Sequence, residues 1–218
     1  MTVYDCRDPV ERDRGVAAAV AAVKRGELVV LPTDTLYSVA CDAFKKTAVN
    51  ALFRAKERGR DLPLVVMVGA RRTFDGLVHR MPKAARALAD AFWPGPLTLI
   101  VSQARSLSWD LGDTGGTVAV RMPLHPVALE VLREIGPMAS TTANKPGNPP
   151  AATVAGAQQQ LGTSVRVYLD GGTGPVGVAS TIVDLVGETP RLVRAGALSA
   201  ERIREVVPDL ELPEPVES

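Results

Sequence analysis

Apolar positions along this chain follow two rhythms that alternate from end to end. Val16–Val23 is Ala-rich and helix-forming, and Gly26 is placed to stop it. Leu28–Leu31 is a short continuous apolar run cut off by Pro32, the pattern of a buried strand. Ala48, Val49, Leu52 and Phe53 recur at helical spacing behind Thr47, a capping residue, and Leu64–Val68 is a second buried strand. Lys83–Phe92 reads as a helix closed by the turn Trp93-Pro94-Gly95-Pro96. Leu97–Val101 and Thr117–Arg121 read as strands, and Pro126 fits the first turn of a helix running to Ile135. Met138–Thr141 is a short strand entering the polar loop Thr142–Pro150. A helix over Thr153–Leu161, strands at Val165–Leu169, Thr181–Val186 and Leu192–Val193, and a helix over Ser199–Val207 complete the series. The alternation predicts one α/β domain over residues 1–207, with no internal repeat and no linker. Residues 208–218 are acidic and Pro-rich and read as a frayed tail.

The polar interruptions fall where buried strands should be ending. Thr33, Asp34, Thr35 and Tyr37 follow Leu31 directly, and the next helix closes on Arg54, Lys56, Arg58 and Arg60. Two readings fit these cations: a solvated helix C-terminus favoured by the macrodipole, or an anion clamp of a Lys point charge and an Arg fork. Asp34 reads as a general base or water anchor, or as a structural cap on its loop. Ser140-Thr141-Thr142-Ala143-Asn144-Lys145-Pro146-Gly147 offers hydroxyls and an amide after a strand, suited to a polar ligand or to capping its own backbone. The Gly-rich stretch Leu169–Thr181 lacks the Gly-Lys-Ser/Thr ending of a P-loop and the Rossmann glycine spacing. Arg121 and Arg194 end strands, where open α/β sheets place ligands and where a buried Arg needs an anion.

Composition narrows the field. The chain has 218 residues, 46% hydrophobic and 22% charged, enough for one well-buried core. Its net charge of +1 argues against a protein built mainly to grip a nucleic-acid backbone, while leaving room for a local basic patch. Cys6 and Cys41 make neither a disulfide framework nor a zinc spacing, and His79 and His125 stand far apart, so no metal site is expected. The charged N-terminus lacks a signal-peptide core and no apolar run is long enough to span a membrane, which points to the reduced cytoplasm.

Five blocks in order carry a resemblance: LPTDTLYSVACDA, AKERGRDLPL, FWPGPLTLIV, VAVRMPLHPVA with STTANKPG, and GVASTIVDL followed by LVRAG. From about Gly15 to Val207 the chain resembles the YrdC-like family, the threonylcarbamoyl-AMP synthases. The resemblance implies a twisted, open mixed sheet with flanking helices around a concave, cationic pocket. It implies a nucleotidyltransferase that makes threonylcarbamoyl-AMP and pyrophosphate from ATP, L-threonine and bicarbonate, for the N6-threonylcarbamoyl modification of tRNA adenosine 37. By motif, Lys56 and Arg58 match the catalytic pair on the nucleotide phosphates, and Thr142 and Asn144 match the Ser-x-Asn element opposite. Thr117 and Arg194 match further ATP contacts, while Thr35, Arg121 and Ser180 match threonine contacts. Mg2+ would be bound mainly through the ATP phosphates. The resemblance also implies transient partnership with the tRNA threonylcarbamoyl-transfer proteins and a weak RNA contact. Ser38, Thr142 and Pro146 depart from the commoner Gly, Ser and Ser. Leu62 and Met67 stand where some relatives place polar contacts. The chain resembles the short form without a C-terminal domain. Two other readings remain: a non-catalytic RNA-binding module using Arg54, Lys56, Arg58, Arg60, Arg71 and Arg72, and a hydrogenase-maturation carbamoyl-adenylate activity, against which the missing Cys pairs count.

Overall fold

The computed structural model describes residues 1–174 and 177–213. In chain order the elements are β1 (Thr2–Asp5), α1 (Pro9–Arg25), β2 (Val29–Leu31), β3 (Ser38–Asp42), α2 (Lys46–Lys56), β4 (Val65–Met67), α3 (Arg71–Leu77), α4 (Lys83–Phe92), β5 (Leu97–Ser102), β6 (Thr117–Arg121), α5 (Pro126–Ile135), β7 (Met138–Thr142), α6 (Val154–Leu161), β8 (Val167–Asp170), β9 (Thr181–Asp184), β10 (Arg191–Arg194) and α7 (Ala200–Arg204). The ten strands form one mixed sheet in the order β1-β8-β2-β3-β7-β4-β6-β5-β9-β10. The α/β class, the single open sheet and its flanking helices agree with the sequence reading.

Local chemistry sets the element ends. The Asp8 carboxylate accepts from the Glu11 N–H at 2.8 Å and Pro9 opens α1, which Gly26 closes at φ 87°. Helix α2 ends instead on Glu57, a non-glycine residue at φ 50°, so the chain turns sharply between Lys56 and Arg58. Helices α4 and α5 and strand β6 have the bounds their apolar spacing predicts.

Strand alternation divides the core between the two faces of the sheet. Val39, Val66, Leu99, Val120 and Val183 face α2, α3, α4 and α6 on one side. Val29, Leu31, Ala40, Met138 and Val167 face α1 and α5 on the other. These two helices cover the β1-β8-β2-β3-β7 part of that second face, with Met67 of β4 at its border. The rest of the face, across β4, β6, β5, β9 and β10, lines a cavity.

Three elements escape the apolar pattern. Strand β1 is an edge strand with mostly exposed side chains, β3 carries the small residues Ala40 and Cys41, and α3 holds Gly76 and buries only Phe74 and Leu77. The frayed tail expected from Pro208 is corrected for its first residues. Leu210 is 2% exposed, Leu192 N–H donates to Glu211 O at 2.8 Å, and Glu211 N–H donates to Pro190 O at 2.9 Å. Residues 214–218 lie outside the described residues, as do Pro175 and Val176 of the Gly-rich stretch.

Candidate active site

The cavity on the bare half-face holds about 430 Å³. Period-two alternation builds its floor: Thr117, Ala119 and Arg121 share one face of β6, while Thr98 and Ile100 face the same way from β5. Seven of the nine residues expected from sequence line it: Thr35, Arg58, Thr117, Arg121, Thr142, Ser180 and Arg194. Lys56 and Asn144 do not. They stand behind the wall that Thr142 presents to the cavity.

Lys56 is 4% exposed, and its ammonium donates to Thr142 O at 2.7 Å, to Asn144 Oδ1 at 2.8 Å and to Asn144 O. All three donors are spent on the 142–144 turn, which Thr142 Oγ1 tightens through a 2.6 Å bond to Asn144 Oδ1. Among the described residues no carboxylate answers this ammonium. Burial, then the charge of Arg58, pushes the Lys56 pKa down to about 8. Arg58 donates from Nη1 to Thr141 Oγ1 at 2.9 Å and from Nη2 to Pro63 O at 3.2 Å, while its buried Nε has no partner. Burial lowers its pKa against the raising effect of Asp61.

At the inner end, Arg121 is 7% exposed and donates to Asp34 Oδ1 (2.6 Å), Thr35 Oγ1 (2.8 Å) and Gly95 O (3.2 Å). Burial lowers its pKa first, Asp34 pulls it back up, and the charge of Arg194 lowers it again. Arg194 leans on Ser180, donating from Nη2 to the carbonyl at 2.8 Å and to Oγ at 3.2 Å. Ser180 Oγ lies 2.8 Å from Thr98 Oγ1. Thr117 Oγ1 donates to Thr114 O at 2.7 Å.

None of the lining residues is Asp or Glu, so Arg58, Arg121 and Arg194 give the cavity a net cationic wall edged by hydroxyls. Such a wall suits anions, above all phosphate and carboxylate. Sequence reasoning missed Thr98, whose only signal was the alternation of β5; Ser140 and Thr141, read from sequence as part of a hydroxyl-rich stretch suited to a polar ligand, complete that edge.

Two further cations of the expected basic patch, Arg60 and Arg71, are engaged elsewhere. Arg60 pairs with Asp110, donates to Asn50 Oδ1 at 3.1 Å and stacks over Phe53 at 4.9 Å. Arg71 pairs with Asp90 at 2.9 Å. Of the six cations such an RNA-binding module would use, these two are ion-paired and Lys56 is buried. No helix among the described residues is long and apolar enough to cross a membrane.

The Sua5_yciO_yrdC family model, described as "Telomere recombination", matches residues 21–196. The chain belongs to this family. It is 56% identical over 204 residues to a Mycobacterium tuberculosis protein provisionally named a threonylcarbamoyl-AMP synthase, with 94% of each chain covered. It is 34% identical to the threonylcarbamoyl-AMP synthase of Thiobacillus denitrificans, over 80% of this chain and 92% of that one. The structure of Pyrococcus abyssi Sua5 complexed with L-threonine superposes with a TM-score of 0.93 at 31% identity. That superposition covers 98% of this chain and 63% of the P. abyssi protein, so the chain spans under two thirds of that relative's length. The cationic cavity thus sits on a Sua5/YciO/YrdC sheet.

Proposed function

We propose that this protein is a threonylcarbamoyl-AMP synthase, a nucleotidyltransferase that joins L-threonine, bicarbonate and ATP and releases pyrophosphate and water. The observation that carries this reading is the cavity itself: three arginines around about 430 Å³, no acidic lining residue, and a family whose P. abyssi member is known with L-threonine bound.

The threonine amine and bicarbonate give an N-carboxylate and water, and that carboxylate attacks the α-phosphorus of ATP as the bond to pyrophosphate breaks. Several negative charges must meet in one place, so the protein's contribution is positioning and electrostatic stabilisation, with no protein nucleophile. Arg121 and Thr35 take the amino-acid end, with Ser180 beside them. Arg58, Arg194, Thr117 and Thr142 take the nucleotide, and Lys56 with Asn144 holds the turn that presents Thr142. The lining residues offer hydroxyls and arginines but no carboxylate, so Mg2+ would be held by the ATP phosphates in place of protein ligands and would supply charge neutralisation. The product is passed in the cytoplasm to the proteins that transfer the threonylcarbamoyl group to tRNA.

The test is to incubate the protein with ATP, Mg2+, bicarbonate and one amino acid at a time, and to look for the carbamoyl-adenylate by mass. Product with threonine and none with serine is the expected result. Salt-sensitive RNA binding without any nucleotide turnover would refute the assignment.

A further inference from the structure

Among the described residues Asp34 is the one carboxylate that touches the cationic wall, and its two oxygens are used unequally. Oδ1 accepts from Arg121 Nη2 at 2.6 Å and from the Leu124 N–H at 2.8 Å, whereas Oδ2 is buried without any partner. The two side chains are 10% and 8% exposed, so this ion pair is shielded from water. Asp34 is itself held on a fixed turn: Thr33 Oγ1 accepts from Thr35 N–H at 3.2 Å and Leu36 N–H at 3.3 Å.

We infer that Asp34 is the positioning residue that aims Arg121 at the carboxylate of the amino-acid substrate. This rests on the proposed function and names how one end of that pocket is set. A guanidinium has five N–H groups. Asp34, Thr35 and Gly95 each take one of those of Arg121. One N–H remains on each terminal nitrogen, a pair suited to both oxygens of a carboxylate. Without Asp34 the long side chain loses its shortest anchor and regains the rotamer freedom that such side chains otherwise give up. The contact with Leu124 N–H ties the same oxygen to the segment entering α5, so Arg121 is referenced to two elements besides its own strand.

The unpartnered Oδ2 makes the idea separable from a role in acid–base chemistry. Asparagine supplies the Oδ1 acceptor for both donors and puts an amide where no protein group is engaged. Alanine removes the acceptor altogether. For Asp34→Ala the threonine KM should rise about 10- to 100-fold, the scale of a hydrogen bond to a charged group, while the ATP KM stays within about two-fold. Asp34→Asn should bring the threonine KM back to within about three-fold of the parent. Should Asp34→Ala not fold, Asp34→Ser takes its place with the same expectation, its hydroxyl being too short to reach Arg121.

An unchanged threonine KM in Asp34→Ala overturns the inference. So does a parallel rise of both KM values, which marks general structural damage, or an Asp34→Asn enzyme as impaired as Asp34→Ala, which marks a need for the charge. A parent protein that forms no threonine-dependent product fails at the proposed function. An active parent with an indifferent Asp34→Ala fails here alone.

Discussion

Raising the pH from 7 to 9 should strip the charge from Lys56 before ATP arrives. With its pKa pushed down to about 8, roughly 90% of Lys56 side chains carry the proton at pH 7 and roughly 10% at pH 9. If tight binding of the triphosphate needs the ammonium, apparent ATP affinity falls about nine-fold across that interval. The neighbours do not confuse the reading. Arginines stay protonated throughout, burial pushes Cys6 up to about 11 and Cys41 up to about 12, and burial holds His125 below its usual value. Deprotonation acts twice, because the same ammonium clamps Thr142 O and the Asn144 side chain. The sign is fixed by linkage: an anion that favours the charged form raises the Lys56 pKa, so binding takes up protons, close to half a proton per ATP at pH 8. Calorimetric titration with Mg2+ and ATP alone, in two buffers of different ionisation enthalpy, measures both quantities and keeps the titrating threonine amine out. Lys56→Met should bind weakly with a flat pH profile, and Lys56→Ala should lower turnover roughly 100- to 1000-fold. Affinity that holds steady from pH 7 to 9, or proton release on binding, refutes the reasoning.

Two further outcomes follow from burial and close packing. The Cys41 thiol titrates near 9 when unfolded and near 12 when folded, so above pH 9 the unfolded chain binds fewer protons and stability falls as pH rises; Cys41→Ala should flatten that alkaline slope in a thermal-melt series. A Cβ on Gly196 would lie 2.5 Å from Ala179 O and Ser180 C, backbone that cannot yield without moving Ser180 and the acceptors of Arg194. Gly196→Ala should therefore destabilise by about 1–3 kcal/mol and lower activity at least ten-fold at temperatures where circular dichroism shows it folded; full activity would show that the segment adapts.

Much of this fold is legible in the chain, and the reasons are specific. Lys83–Phe92 and Pro126–Ile135 each present one apolar face between clear stops, so their bounds follow from spacing. Ser38–Asp42 does not announce itself as a strand because Ala40 and Cys41 carry little bulk of their own; helices on the two faces of the sheet bury them, α1 over Ala40 and α2 over Cys41. In the site, the strand-end position of Arg121 and Arg194 is readable; the demand for an anion holds for Arg121, which is buried, whereas Arg194 stays exposed at the cavity rim. The division between Arg58 in the wall and Lys56 behind it is not. It depends on Glu57 turning left-handed, which spacing along a helix does not encode. Nor does the sequence show that α1 and α5 stop short of β6, β5 and β9; that bare half-face is a property of the whole assembly.

The place of β8 in the sheet has a consequence for how the chain is made. It slots between β1 and β2, pairing Val167 with both Thr2 and Val29, so two strands from the first 31 residues have no common neighbour until residues 167–170 are synthesised. At ribosomal rates of about 5–20 residues per second, that gap stays open for roughly 8–30 s. During this time β1 and β2 present unpaired edges to whatever else is in solution. The nascent chain is thus a sheet with a missing stave, and the last third of the message closes it.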